Sequence, residues 1–200
     1  MDTLLSVGIG LGLSAACGFR VFVPLLIASI AAQAGYLSLA PGFEWIGTPQ
    51  ALYAFATATV LEVLAYYVPW LDNALDMIAT PAALIAGILA SAAVFTDLPP
   101  FFKWSLAIIG GGAAAGIVQG ATTLLRLKSA AFSWGLGNPL VSTAELFGAI
   151  LMAVVAVTLP LVAFLLAAAV CIVAFRLARK IVFGRCGKRP RPIAGTSPRA

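Results

Sequence analysis

Six polar residues stand out in a chain that offers little else for chemistry: Arg20, Glu62, Asp72, Asp76, Asn138 and Glu145. An arginine inside an apolar run costs roughly 2.5–3.5 kcal/mol near a bilayer centre on insertion scales. Arg20 therefore either faces a protein interior or wet cavity, with an acidic or carbonyl partner, or snorkels to the surface. Glu62 is the best-placed acid, followed by Asp72 and Asp76. Such a pair reads as a structural pin for helix register or as the contact for an ion or substrate. A carboxyl at the depth of Glu62 can also hold a proton, which suits a transport path. Asp72 and Asp76 are four residues apart and share a helix face. They could hold Mg²⁺ at a membrane surface, and a solvated helix face is the plainer reading. Ser142-Thr143-Ala144-Glu145 has capping-box spacing, in which serine and glutamate satisfy the first amides of a helix. The alternative there is a half-helix N-terminus in the membrane, following Asn138, whose positive dipole end could hold an anion.

No enzyme class finds support. The chain has no histidine, and its three cysteines, Cys17, Cys171 and Cys186, have no metal spacing. A Ser-His pair and a phosphate loop are also missing from the sequence. The expectation is a non-enzyme without cofactor or metal.

The elements that hold these residues follow from composition. Hydrophobic residues make up 62% of the 200 and charged residues 10%. A soluble domain has roughly 45–50% apolar and about 25% charged residues. Lipid must solvate the excess, so the fold class is all-α, a polytopic transmembrane helix bundle.

A span needs about 20 apolar residues. The run from Leu4 to about Ala34 exceeds that, and Arg20 and Pro24 interrupt it, which predicts a tilted, kinked or broken helix. The Ala32-Gln33-Ala34 triplet resembles a cleavage site, but the run is too long for a signal peptide and is read as retained. Thr48-Pro49 starts a second span to about Val68, with Thr as N-cap and Pro at the first helical position. A third runs through Thr80-Pro81 to about Phe95, and a fourth from near Phe101 to near Leu125. Gly137-Asn138-Pro139 announces the next helix. Leu140 to Phe175 is too long for one span, and Pro160 divides it. The count is about six.

Gly10, Ser14 and Gly18 repeat at four-residue intervals, as do Gly112, Gly116 and Gly120. Each set predicts a strip where a neighbouring backbone packs closely. With six spans the two strips cross in opposite directions, as in an inverted three-plus-three repeat. Packing alone also accounts for such strips.

The net charge is +5, and eight of the 12 basic residues lie from Arg176 onward. That places a transmembrane domain at residues 1–180 and a basic, disordered tail at 181–200. A basic flank faces the cytoplasm. Six spans then put both termini there, in a bacterial inner membrane. The expected partners are the lipid bilayer and a second copy or another membrane protein, not nucleic acid.

Three blocks are together familiar: Gly12-Leu13-Ser14-Ala15-Ala16 through Gly18-Phe19-Arg20 and Pro24-Leu25-Leu26; Leu61-Glu62 with Pro69, Leu71-Asp72 and Asp76; and Gly137-Asn138-Pro139 with Val141-Ser142 and Glu145. They resemble a bacterial family of small multi-pass membrane proteins of unknown function, over about residues 5–165. Tyr66-Tyr67 departs from the Asp-Lys pair that the resemblance implies. The resemblance implies a multi-pass fold and no activity. The leading functional expectation is a transporter or channel for an ion or small solute. The alternative is a non-transporting scaffold or accessory subunit of a partner membrane complex.

Overall fold

The computed structural model describes residues 3–65, 69–133 and 138–183. They form eight helical segments: α1 Thr3–Cys17, α2 Phe22–Gln33, α3 Pro49–Ala65, α4 Pro69–Val94, α5 Pro100–Leu106, α6 Ala113–Ser133, α7 Asn138–Thr158 and α8 Pro160–Phe183. A 3₁₀ turn, Glu44–Gly47, precedes α3, and a π-helical stretch, Ala107–Gly112, joins α5 to α6 in one continuous rod. The helix starts follow the prolines: α3, α4, α5 and α8 each open on one, and α7 has Pro139 at its second residue. Proline suits the first turn, where its missing N–H would have no intrahelical partner. Thr48 caps α3, accepting a hydrogen bond from the Ala51 amide at 3.3 Å. The Pro160 division falls between α7 and α8 as the sequence predicts.

The first apolar run is two antiparallel helices. Ser14 Oγ donates to the Gly87 carbonyl at 2.6 Å, and Ser91 Oγ donates to the Gly10 carbonyl at 3.1 Å. α1 and α4 therefore run in opposite directions. The Ala40 amide donates to the Ala93 carbonyl at 2.7 Å. After α2 the chain has thus returned to the level of the first half of α1. α3 then descends beside α2, tied by Ser29 Oγ to the Ile46 carbonyl at 2.6 Å and by Gln33 to the Thr48 carbonyl at 3.2 Å. At 15 and 12 residues, α1 and α2 are about 22 and 18 Å long. Both fall short of a hydrocarbon core of about 30 Å. They make a hairpin that enters from one face and turns back inside the bundle.

Among the described residues the segments make seven rods, within the expected count of about six, and the directions of the rods decide the topology. A Cβ at Gly8 would lie 2.5 Å from the Pro160 carbonyl oxygen, and one at Gly12 would lie 3.1 Å from Ala163. α1 and α8 are therefore parallel, so the start of α1 and the end of α8 lie at opposite ends of the bundle. These directions do not match the even number of crossings on which the expectation of two termini on one side rested; the termini themselves lie outside the described residues. The inverted repeat is corrected too. Gly18 packs on Val118, and Leu11 packs on Gly110. The helices that carry the two small-residue strips run in the same direction.

The strips themselves are mostly buried contacts. A Cβ at Gly10 would meet the Phe95 ring at 2.6 Å, and one at Gly18 the Ala115 carbonyl at 2.5 Å. Gly112 and Gly116 face the side chains of Ile88 and Leu84 on α4, whereas a Cβ at Gly120 would meet nothing within 4 Å. The closest α4–α6 contact belongs to glycines outside the strips. A Cβ on Gly87 would sit 2.6 Å from Ala115, and one on Gly111 would sit 2.8 Å from the Gly87 carbonyl.

Among the described residues, three helical stretches, Pro100–Lys128, Leu140–Thr158 and Pro160–Ile181, are long and apolar enough to cross a membrane. The outside of α8 exposes Leu161, Leu165, Ile172, Val173 and Phe175. Soluble monomers rarely expose contiguous apolar surface on this scale. The chain has the build of a helical membrane protein.

Candidate functional site

The turn of the α1–α2 hairpin, residues 18–21, is where the buried charges meet. α1 closes normally, with the Arg20 amide donating to the Ala16 carbonyl at 3.1 Å. The first amides of α2 face the opposite problem. They lie inside the bundle, with no local side-chain cap. Glu62, arriving on α3, supplies the cap: one carboxylate oxygen accepts from the Val21 amide at 2.9 Å and the other from the Phe22 amide at 3.1 Å. A carboxylate there satisfies two orphan donors and complements the positive end of the helix dipole. Glu62 lies 13 residues into α3, about 20 Å along the axis. The turn therefore sits some two-thirds of the way across a core of about 30 Å.

Arg20 points the other way, toward α7. Its Nη2 donates to the Ser142 carbonyl at 2.9 Å and to the Ser142 hydroxyl. The same atom lies 3.9 Å from a carboxylate oxygen of Glu145. Arg126, near the end of α6, grips Glu145 with two nitrogens: Nε donates to Oε1 at 3.0 Å, and Nη2 donates to Oε2. This is a fork-on-fork pair, the strongest geometry available to arginine. Arg20, Glu145, Arg126 and Glu62 are 1, 4, 5 and 9% exposed, so the cluster is dry. Glu62 lies within electrostatic reach of both arginines. Among the described residues, two guanidiniums and two carboxylates meet inside an apolar bundle, and Glu145 lies against both arginines.

The chain matches the family described as Domain of unknown function (DUF4126) over residues 7–180. It belongs to that family. No curated protein and no solved structure matches this DUF4126 chain.

The structure brings together Arg20, Glu62 and Glu145 from the sequence-predicted set. Among the described residues, Glu145 lies within 4 Å of Arg20, while the oxygens of the expected Glu62 are engaged by backbone amides. The capping role expected of Ser142 and Glu145 does not occur. α7 already begins at Asn138, so both residues stand within the helix, where local amides have carbonyl partners. Both are engaged by arginines instead. Asp72 and Asp76 stand in the first turns of α4, and Asn138 is the first residue of α7. Their side chains lie outside the described residues, as do Tyr66-Tyr67 and the tail from 184.

Arg126 is the site residue that sequence reasoning missed. Followed by Lys128, it reads as a cytoplasmic flank. The available signal was the first-turn capping pattern itself, since a glutamate shortly after a helix start also suits a cation arriving from the preceding helix.

Proposed function

We propose that this protein is a membrane transporter for an ion or small charged solute, gated where the α1–α2 hairpin meets the arginine–glutamate cluster. The observation that supports this reading is a helix break inside the bundle whose backbone ends and nearest side chains carry most of its buried charge. Discontinuous helices at membrane depth recur in secondary transporters, where their ends and nearby charges contact the cargo. The cluster is a closed arrangement in this reading. Glu145 neutralises Arg126 and Arg20, and a solute of matching charge competes for the same groups. The chain catalyses no covalent step. Lys128, Arg176, Arg179 and Lys180 lie toward the end of the bundle where α8 finishes, which supports a cytoplasmic location for that end by the positive-inside rule. The start of α1 then faces the other side of a bacterial inner membrane.

A second reading, a non-transporting scaffold for a second copy or a partner membrane protein, is favoured by the dryness of the cluster. Charges that pair within the bundle are consistent with a pin for helix register. Flux separates the two. Purified protein in liposomes, screened against small inorganic ions and organic anions and cations, is expected to carry at least one solute above empty vesicles. Arg126→Lys, which keeps the charge and loses the fork, is expected to alter that flux. Absence of flux across the whole screen would refute the transporter reading and leave the scaffold.

A further inference from the structure

A cleft of about 320 Å³ runs between α6 and α8, with Phe19 at its floor. Its walls include Val118 and Leu125 on one side and Val170, Val173 and Leu177 on the other. Leu125 and Val173 are exposed at its rim. α6 and α8 reach the far end of the bundle side by side, because each runs parallel to α1. One turn beyond the last wall residue, each helix carries a lysine on the same face. Lys128 follows Leu125 by three residues, and Lys180 follows Leu177 by three. Both lysines are exposed. Arg176 stands three residues after Val173. Neither α6 nor α8 contains an acidic residue. Arg126, between them in level, is committed to Glu145. An apolar slot therefore opens at its charged end onto basic groups with no acid on either helix to balance them.

We propose that the α6–α8 cleft binds an anionic phospholipid of the leaflet at the α8 end, with one acyl chain on Phe19 and the phosphate between Lys128 and Lys180. The physical reason is complementarity at both ends of one molecule. The slot is lined by side chains that exclude water, and basic residues at the membrane surface attract anionic headgroups. Long lysine side chains reach outward from the helix end to the phosphate level. A second protein helix would fill the slot equally well but would leave the lysines uncompensated. The inference depends on membrane insertion and not on transport.

The test is lipid retention by the full chain in detergent, read by native mass spectrometry with phosphatidylglycerol and phosphatidylcholine in equal amounts. Wild type is expected to retain phosphatidylglycerol preferentially. Lys128→Ala with Lys180→Ala is expected to lower that preference about thirtyfold, the worth of two basic side chains near an anionic headgroup. Ala169→Trp, which fills the slot from its exposed rim, is expected to abolish retention of both lipids. Equal retention of the two lipids by wild type would overturn the proposal. So would an unchanged preference in the double variant. Dissociation of an oligomer by Ala169→Trp would show that another helix occupies the slot, and would overturn it as well.

Discussion

Glu62 offers the sharpest test of how the buried turn is held. In Glu62→Leu the amides of Val21 and Phe22 lose acceptors at 2.9 and 3.1 Å. Each buried donor left unsatisfied costs about 1–3 kcal/mol, so the loss is about 2–6 kcal/mol. Glu62→Gln keeps one carbonyl oxygen in place and is expected to cost about half as much. In a chain of this size each kcal/mol moves the melting midpoint by about 2–4 °C. The assay is thermal unfolding of purified protein in a fixed detergent, joined to hydrogen exchange at the two amides. Exchange at Val21 and Phe22 is expected to rise sharply in Glu62→Leu and partly in Glu62→Gln. The competing idea, a direct Arg20–Glu62 ion pair, makes the opposite forecast for the double variant. Removing both members of a buried pair restores stability that removing one has cost. Unchanged exchange at the two amides in Glu62→Leu would refute the capping argument.

Two further outcomes follow from packing and topology. Gly87→Leu is expected to prevent folding or lower stability by several kcal/mol, because its Cβ already meets Ala115 at 2.6 Å and Gly111 oxygen at 3.0 Å. Gly120→Leu, facing open space, is expected to melt within about 1 kcal/mol of wild type, and equal melting of both variants would contradict the glycine contacts. For orientation, a membrane-impermeant thiol reagent in intact cells is expected to label a cysteine introduced at Thr3 and to spare Cys186. Labelling of Cys186 before lysis would reverse the orientation of the bundle, and protection of both would restore an even number of crossings.

Much of the fold was legible along the chain, and the reason is local. The apolar excess excludes a soluble core, and Pro49, Pro139 and Pro160 mark helix starts because a proline costs nothing in a first turn. The interruption at Arg20 and Pro24 was legible too, but not its consequence. Whether a broken run continues across the bilayer or turns back depends on what α4 and α3 present to it. Here the Ala93 carbonyl receives the returning strand of chain and Glu62 receives the new helix end. That single decision divided the first apolar run into two rods and set the start of α1 and the end of α8 at opposite ends of the bundle.

The site divides along the same line. A buried arginine in lipid requires a partner, so the sequence by itself narrowed Arg20 to engagement within the protein or snorkelling to the surface. Which partner it took was decided by depth and helix direction, properties of the assembled bundle. Glu62 matched Arg20 in level yet was claimed by two amides whose need arises only once α2 begins inside the protein. Glu145 and Ser142 carried a local capping pattern, but α7 starts four residues before Ser142, leaving their side chains for arginines from α1–α2 and α6. Local propensity set the helices. The unsatisfied donors and charges created when those helices packed then chose the pairs, because inside an apolar bundle each such group must find its counterpart among the residues that packing brings within reach.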